Sequence, residues 1–287
     1  MARIGNNPDR KTKSKKYPPI VAGIVTYLPN ETDDYHKARM EVVRTCLTSL
    51  RRNANNEIGI MIWDNGSCDR LKEWIQTVYK PDWFIQSPNI GKAQARCSMY
   101  RMLPMDTAFA FSDDDIYYGP NWLMPQLELL YGFPHVGVVS GYPVRSQFNW
   151  GCSRTIQWAE ENGKVTKGRL IPDEWDRDFC ISVGQTLDQH ERVVANTEDV
   201  MVEYQGMRAY CTAHHCQFVG VAGVLEKFMT FAIDYAMSDE KPFDNAINAA
   251  GLLRLTTIHR YTRHIGNVMD VKIKVEAKKL GVWCDGK

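Results

Sequence analysis

Three consecutive aspartates, Asp113, Asp114 and Asp115, follow the apolar run AFAF at residues 108–111. Like charges repel one another, and burying them is costly unless a cation lies among them. Carboxylate oxygens suit Mg²⁺ and Mn²⁺, which proteins often hold with one or two carboxylates together with substrate phosphates. Side chains alternate along an extended segment, so we expect Asp113 and Asp115 to form the metal pair and Asp114 to point away. A turn or helix cap also favours aspartate, but this explains one such residue rather than three.

The aspartate triplet is one of four polar motifs that follow predicted strands. Runs of apolar and β-branched residues predict these strands at 20–28, 58–63, 82–87, 108–111 and 136–142. The other three motifs are Thr26–Tyr27, Asp64–Asn65–Gly66 and Asn89–Ile90–Gly91. Helical patterns alternate with the strands, which predicts an α/β fold with a mostly parallel, Rossmann-like sheet flanked by helices. Such sheets bind ligands at the carboxyl ends of their strands, so we expect the four motifs to meet in one site.

Two common phosphate-binding motifs are absent from the sequence. The segment after the first strand reads GIVTYLPNETDD and lacks the G-x-G-x-x-G pattern of dinucleotide-binding folds. The segment QSPNIGKA resembles a P-loop, but Gln86 replaces its first glycine and Ala93 replaces its Ser or Thr. The sequence therefore favours neither NAD binding nor P-loop ATP chemistry.

With these motifs in order, the chain resembles the GT-A glycosyltransferases, specifically family 2, over about residues 19–143. The segment SDDDIYYGPNWL is similar to the DxD segment of that family. The segments VTYLPN, WDNGS and NIGKAQAR resemble, in the same order, its nucleotide pocket, its D-N-x-S turn and its N-x-G-x-x-x-A-R segment. The resemblance implies a GT-A fold, a nucleotide-diphosphate sugar as donor and Mn²⁺ or Mg²⁺ as cofactor.

The resemblance also implies roles for individual residues. It places Thr26, Tyr27 and Asp64 at the nucleoside, and Asn89, Gly91 and Arg96 beside the nucleotide or its diphosphate. It places Asp113 and Asp114 beside the nucleotide, Asp113 also near the metal, and makes Asp115 a metal ligand.

Members of this fold often add a histidine near the C-terminus to the metal shell, and the resemblance makes His264 the first candidate and His215 the second. A packed or surface histidine is an equally good interpretation of either residue. His214 and His215 are adjacent, so on a strand they would point to opposite faces and at most one would serve. The segment CTAHHC lacks the spacing of a structural zinc site.

The acceptor side of the reaction needs a general base, and inverting relatives often use an acidic pair well beyond the DxD segment. Glu198 and Asp199 form such a pair, with Asp199 86 residues after Asp113. The segment EDVMVEYQG reads as a helix, and an acidic pair at a helix N-terminus is the alternative explanation. Asp244 is a further acidic candidate, for which helix capping is the alternative.

The expected function is metal-dependent transfer of a sugar, with inversion, from a nucleotide-diphosphate sugar to a glycan or another acceptor hydroxyl. A nucleotidyltransferase is an alternative, although the glycine-rich loop that usually follows its first strand is missing. A non-catalytic nucleotide- or glycan-binding protein of the same fold is the other alternative. Trp150 and Trp175 lie in an irregular segment, 144–190, that we expect to cover the donor and contact sugar rings.

The bulk composition is that of an ordinary globular protein, with 44% hydrophobic residues, 24% charged residues and a net charge of +1 over 287 residues. Residues 1–18 are expected to form a disordered basic tail that contacts an anionic surface weakly, if at all. Residues 19–287 are expected to form one domain, with a nucleotide-binding half at 19–143 and an acceptor half at 144–287. Within the acceptor half, the segment RAYCTAHHCQFVG reads as a strand, and the segments at 223–237 and 245–255 read as helices. The eight scattered cysteines, and the lack of a membrane-spanning apolar run or secretory signal, favour a cytoplasmic protein with reduced thiols.

Overall fold

The structure is a computed structural model that describes residues 18–54, 58–228 and 240–282. Within these residues, one sheet of ten strands has the order β3-β2-β1-β4-β10-β6-β11-β9-β8-β7, and β12 pairs with β5 in a second sheet. The strands are β1 (Ile20–Thr26), β2 (Gly59–Asp64), β3 (Trp83–Gln86), β4 (Ala108–Asp113), β5 (Ile116–Tyr118), β6 (Val136–Ser140), β7 (Lys164–Gly168), β8 (Asp199–Tyr204), β9 (Met207–Tyr210), β10 (Gln217–Val221), β11 (Leu253–Thr257) and β12 (Thr262–His264).

Helices lie between most of these strands. They are α1 (Arg39–Arg52), α2 (Asp69–Trp74), α3 (Lys92–Arg101), α4 (Met124–Gly132), α5 (Ser153–Asn162), α6 (Asp173–Ser182), α7 (Leu187–Val194), α8 (Ala222–Leu225), α9 (Lys241–Ala249) and α10 (Val271–Lys279). A π-helical turn, Ile75–Tyr79, continues α2, and 3-10 turns lie at Arg145–Asn149 and Glu226–Phe228. None of the described helices has both the length and the apolar composition that a bilayer crossing requires.

The predicted α/β fold with a mostly parallel sheet is confirmed. Strand β1 pairs in parallel with β2 and β4, and β2 pairs in parallel with β3. Strand β10 inserts in the antiparallel direction between β4 and β6, and β6 then pairs in parallel with β11. Strands β7, β8 and β9 extend the sheet as antiparallel neighbours. The five strands predicted from apolar runs correspond to β1, β2, β3, β4 and β6.

Helices pack against the sheet through their buried apolar residues. In α1, Met40, Val43, Leu47 and Leu50 are buried at the predicted helical spacing, and they share one core cluster with Ile24 of β1. A second cluster on the other side of β4 joins Phe109 and Phe111 to the apolar residues of α3 and α9. The sheet is thus covered on both faces, which explains why β1 reads as a continuous apolar run.

Three local predictions need correction. The segment EDVMVEYQG contains strand β8, because Val200 and Val202 are buried at alternate positions and β8 pairs with β7 and β9. A turn through Gln205 and Gly206, both at positive φ, joins β8 to β9. The segment RAYCTAHHCQFVG is not one strand, since residues 211–216 form a loop between β9 and β10. The helix predicted for 245–255 stops at Ala249, and β11 follows.

Two predictions fall wholly or partly on residues that the structure does not describe. The basic tail lies outside the described residues, apart from residue 18. Of the helix predicted for residues 223–237, the structure describes the part up to residue 228, which contains the end of α8 and a 3-10 turn.

The strand register brings the polar motifs together at one edge. Thr26 lies opposite Asp64 in the β1–β2 pair, and Val25 lies opposite Asp113 in the β1–β4 pair. The carboxyl ends of β1, β2 and β4 are therefore side by side, as the parallel sheet predicted.

Candidate active site

The aspartate triplet lies among two cations and a backbone N–H group from three other parts of the chain. Arg39, the first residue of α1, hydrogen-bonds Asp114 and donates to Asp115 across 3.2 Å. Lys92, the first residue of α3, lies 3.2 Å from Asp113. The backbone N–H of Tyr27 donates to Asp114 across 3.1 Å. These donors offset the repulsion among three adjacent carboxylates.

The three carboxylates differ in their electrostatic surroundings. Burial raises the pKa of Asp113, and the nearby Lys92 only partly opposes this. Burial likewise raises the pKa of Asp114 against the effect of Arg39. For Asp115, burial favours the neutral form, but the charges of His264 and Arg39 outweigh it and lower the pKa below its usual value. Asp115 is therefore the member of the triplet best held as an anion.

The β5–β12 pair places a histidine beside the triplet. His264 pairs with Ile116 across this small sheet, and the backbone N–H of Ile265 donates to the carbonyl of Asp115. His264 Nε2 lies 3.5 Å from Asp115 Oδ2, and its Nδ1 lies 2.8 Å from Ser182 Oγ. A partner on one ring nitrogen that leaves the other facing a carboxylate is the arrangement of many metal-ligating histidines.

Two cavities meet at the triplet, and both are lined by Asp113 and His264. We call the first the triplet cavity; its volume is about 660 Å³, and its lining includes Asp113, Asp115, Asp178, Ser182, His264 and Asn267. We call the second the histidine cavity; its volume is about 520 Å³, and its lining includes Lys92, Asp113, Trp150, His190, His214, His215, Glu240, Lys241 and His264. Asp113 and Asp115 line the same cavity, whereas Asp114 is turned towards Arg39 and Tyr27.

The triplet cavity fits a divalent cation with few protein ligands. Among the described residues, Asp115 Oδ1 is buried and has no hydrogen-bond partner. An ionised carboxylate oxygen in this position suits a hard cation. No group of three or more described His, Cys, Asp or Glu side chains could enclose a metal ion. A cavity that offers Asp113 and Asp115 with few other protein ligands matches a Mg²⁺ or Mn²⁺ site whose remaining ligands are phosphate oxygens.

The predicted nucleoside residues lie in a tight polar turn. Thr26 donates to the carboxylate of Asp64 across 3.3 Å, and the backbone N–H of Ser67 donates to the same carboxylate. Thr26 and Asp64 are fully buried, whereas Tyr27 is 38% exposed. Tyr27 is thus accessible to solvent, while Thr26 and Asp64 hold the turn that follows β2.

A second polar turn links β2 to α3. Asn65 Nδ2 donates to Asn89 Oδ1 across 2.9 Å, and the N–H of Ile90 donates to Asn65 Oδ1. Gly91 has φ +85°, a conformation that favours glycine, and its N–H donates to Asn89. Hydrogen bonds therefore join the two motifs WDNGS and NIGKAQAR to each other.

Arg96 is deeper than its predicted place beside the diphosphate. Its side chain is 1% exposed, and it pairs with Glu240 across 2.7 Å. The guanidinium also lies against the rings of Phe111 and Phe243. Lys92 lies 3.0 Å from the same Glu240 carboxylate, so Glu240 links Arg96 to the cation that pairs with Asp113. Despite burial, Arg96 and Lys92 lower the pKa of Glu240.

The structure does not bring Glu198 and Asp199 to these cavities. Glu198 is exposed, and Asp199 is fully buried. The Asp199 carboxylate accepts hydrogen bonds from Arg145 across 3.1 Å and from the N–H groups of Leu170 and Ile171 across 2.7 and 2.8 Å. Burial raises its pKa, but neither residue lines the triplet cavity or the histidine cavity. This geometry gives Asp199 a structural role and argues against its prediction as the base.

His215, which lines the histidine cavity, contacts the buried Asp244 behind it, a pairing that their sequence positions did not indicate. His215 Nδ1 lies 3.1 Å from Asp244 Oδ2, while the triplet faces His264 instead. Asp244 is buried and also pairs with Arg254 across 2.7 Å. The indole N–H of Trp150 donates to Asp244 across 3.1 Å. Trp150 thus lines the histidine cavity, whereas Trp175 packs against Arg260.

Sequence reasoning missed Arg39, Lys92 and Glu240 as site residues. Lys92 lies inside the motif NIGKAQAR, directly after Gly91, so the motif itself indicates that Lys92 is close to the site. Arg39 and Glu240 lie in segments without a motif, and only the folded chain brings them to the triplet.

Comparison with solved structures finds several glycosyltransferases with limited similarity. PcManGT, a mannosyltransferase from Pyrobaculum calidifontis solved with GDP-Man and Mn²⁺, has 18% identity and a TM-score of 0.33; the match covers 43% of this chain and 35% of that one. TarS from S. aureus has 17% identity and a TM-score of 0.33, with 44% and 21% covered. GalNAc-T7, solved with UDP, GalNAc and Mn²⁺, has 12% identity and a TM-score of 0.48, with 93% and 48% covered. This chain thus matches less than half the length of each of these proteins.

The family assignment rests on a match to a family model. A search of curated proteins finds no match. The model described as "Glycosyl transferase family 2" matches residues 35–189, more than half of the chain and including the aspartate triplet. The α/β sheet and the cavity at its carboxyl edge agree with the GT-A fold that the motifs implied. The chain belongs to glycosyl transferase family 2.

Proposed function

We propose that the chain transfers a sugar, with inversion, from a nucleotide-diphosphate sugar to an acceptor hydroxyl and that the reaction depends on a divalent metal. One observation carries this proposal: Asp113 and Asp115 line one cavity, and a buried oxygen of Asp115 has no partner among the described residues. Two carboxylates in one cavity at the carboxyl edge of a parallel sheet, one of them with an oxygen that has no hydrogen-bond partner among the described residues, suit a metal-bound diphosphate.

Asp115 and Asp113 would hold Mn²⁺ or Mg²⁺ together with phosphate oxygens of the donor, with His264 beside Asp115, and the bound metal would supply positive charge to the diphosphate of the leaving group. The chain adds its own charge at the same place. Lys92 lies beside Asp113 at the N-terminus of α3, where helix N–H groups also favour anions. Ser182 fixes the ring of His264, and Arg39 fixes Asp114 and Asp115, so the ligands are held before the donor arrives.

The nucleoside would lie against the turns that follow β1 and β2. Tyr27 is the exposed ring at that edge, and a nucleobase stacks well on an aromatic face. Thr26, Asp64, Asn65 and Asn89 shape this pocket through their mutual hydrogen bonds. The acceptor would enter through the histidine cavity, which adjoins the triplet cavity at Asp113 and contains Trp150.

A thermal-shift panel tests this function. The ligands are UDP, GDP, dTDP and CDP and their common sugar conjugates, each with and without Mn²⁺. We expect one nucleotide to raise the melting temperature only with metal, because the metal joins its diphosphate to Asp115. Asp115→Ala should abolish the shift, whereas Asp106→Ala, which removes an exposed carboxylate outside both cavities, should retain it.

Release of the nucleoside diphosphate from the selected donor then separates an enzyme from a binding protein. Slow hydrolysis by the wild type supports catalysis. A metal-dependent shift without any release would favour a non-catalytic binding protein. No shift with any nucleotide would contradict the proposal.

A further inference from the structure

Four histidines line the histidine cavity, and three of them are already engaged or inaccessible. His264 faces Asp115. His190 is buried and lies 2.6 Å from Asp176. His214 is buried, and its Nδ1 accepts a hydrogen bond from the N–H of Cys216. His215 differs, because its side chain is 21% exposed where it lines the cavity.

A buried carboxylate fixes the orientation of His215. Asp244, which is 1% exposed, contacts Nδ1 of His215 across 3.1 Å. Arg254, which is fully buried, pairs with the other oxygen of Asp244 and donates to the carbonyls of Gly151 and Ala213. The carboxylate is thus anchored, and it selects the tautomer that carries a proton on Nδ1 and a lone pair on Nε2.

On the basis of the proposed function, we propose that His215 is the general base that removes the proton from the acceptor hydroxyl and that Asp244 is its positioning residue. A base within a ligand cavity, oriented in turn by a third group, is the arrangement used for proton removal in many enzymes.

The two carboxylates that line the same cavity, and Asp244 behind His215, are poorer bases for this step. Glu240 is held as an anion by Arg96 and Lys92, and both contacts would weaken if it took a proton. Asp113 is paired with Lys92 and is one of the proposed metal ligands. Asp244 is enclosed by Arg254, Trp150 and His215 and does not reach the acceptor itself.

The step balances in protons and electrons. The acceptor O–H gives its proton to Nε2 of His215, and its oxygen forms a bond to the anomeric carbon. The bond from that carbon to the diphosphate oxygen breaks, and the nucleoside diphosphate leaves with the electron pair. Asp244 stabilises the imidazolium that forms, and His215 then releases the proton to water.

Donor hydrolysis tests this role with water in place of the acceptor. The probes are UDP-glucose, UDP-N-acetylglucosamine and GDP-mannose with Mg²⁺, and the readouts are the rate of nucleoside diphosphate release and, by calorimetry, donor affinity. We expect His215→Ala to lower kcat by about 100-fold or more, with donor affinity within about twofold of the wild type. Added imidazole should raise the kcat of His215→Ala by about tenfold or more, because it replaces the missing base.

Two further variants complete the test. Asp244→Asn should lower kcat by about tenfold or more with little change in KM, because the imidazole remains but loses its orientation. His259→Ala, which removes an exposed histidine outside both cavities, should keep the wild-type rate and show no response to imidazole.

Three results would overturn the role of His215. These are a His215→Ala rate near that of the wild type, a parallel loss of donor affinity, and a loss of rate that imidazole does not restore. If the wild type binds none of the probes, and none of the nucleotides of the thermal-shift panel, the proposed function itself fails and the base role fails with it. If binding and turnover survive in His215→Ala, only the assignment of His215 as the base fails, and the proposed function remains.

Discussion

Arg39 Nη1 lies 3.2 Å from Asp115 Oδ2, and the same guanidinium hydrogen-bonds Asp114. One cation at the start of α1 therefore holds two of three adjacent aspartates that follow β4. It also donates to Asn267 across 3.0 Å, which joins the triplet to the segment after β12. The site is thus assembled by a side chain that belongs to none of the recognisable motifs.

Replacing Arg39 with Met should destabilise the protein strongly. The side chains of Arg39, Asp114 and Asp115 are almost fully buried, so the substitution leaves two carboxylates without their cation. We expect a loss of about 3–5 kcal/mol in the free energy of unfolding, measured by urea denaturation at pH 7. Arg70→Met breaks a largely exposed pair with Glu31 and should cost less than about 1 kcal/mol. Equal losses in the two variants would contradict the role of Arg39.

Much of the triplet cavity could be predicted from the sequence, because its determinants are local. Asp113 and Asp115 share a cavity since side chains alternate at the end of a strand, and strand ends of a parallel sheet meet. The cations could not be predicted, since Arg39 lies 76 residues from Asp115 and no periodic pattern relates the two. His215 and Asp244 are likewise brought together by packing of a loop on α9.

The predicted role of Asp199 depends on the secondary structure of the segment EDVMVEYQG. A helix over this segment would expose an acidic pair at its N-terminus. The alternating burial of Val200 and Val202 instead fits a strand, and the strand turns Asp199 inward to Arg145. Short apolar stretches do not distinguish strand from helix by period alone.

Asp199→Asn should therefore change stability more than turnover. The neutral side chain weakens the contacts with Arg145 and with the N–H groups of Leu170 and Ile171. We expect the free energy of unfolding to fall by about 2–3 kcal/mol, while donor hydrolysis per folded molecule stays near the wild-type rate. Glu198→Gln, at the exposed neighbour, should change neither quantity. A large loss of turnover in stable Asp199→Asn protein would restore Asp199 as the base.

Gly266 is a second position where a small change should disturb the site. Its φ of +76° disfavours any other residue, and an added Cβ would clash with the carbonyl oxygen of Ser182. Ser182 holds His264, and Asn267 contacts Arg39. We expect Gly266→Ala to lower the free energy of unfolding by about 3 kcal/mol or more and to weaken the metal-dependent nucleotide shift.

The matched control for this glycine is Gly206, in the turn between β8 and β9. It has φ +80°, but within the described residues no heavy atom, other than those of Gly206 itself and its two chain neighbours, lies within 4 Å of an added Cβ. Gly206→Ala should therefore show only the backbone cost, about 1–2 kcal/mol, with the nucleotide shift unchanged. An equal loss of unfolding free energy in both variants would show that the clash with Ser182 adds nothing to the backbone cost.

His214 should make the stability of the protein depend on pH. Burial, together with the charges of His215 and His264, holds the pKa of His214 well below its usual value of 6.5. In the unfolded chain the imidazole binds a proton near pH 6.5, but in the folded chain it does so only at lower pH. Between these values the unfolded state binds more protons, so the free energy of unfolding falls as the pH drops, by up to about 1.4 kcal/mol per pH unit.

Urea denaturation between pH 7.5 and 5 measures this effect, and His214→Asn is the variant that should reduce it. Asn can still accept the hydrogen bond from the N–H of Cys216, so the change removes the titration and keeps the acceptor. We expect a shallower decline of stability below about pH 6.5 in the variant, whatever its stability at pH 7.5. His259→Asn, at an exposed position, should retain the wild-type slope. Identical slopes in all three proteins would show that His214 is not the source of the acid sensitivity.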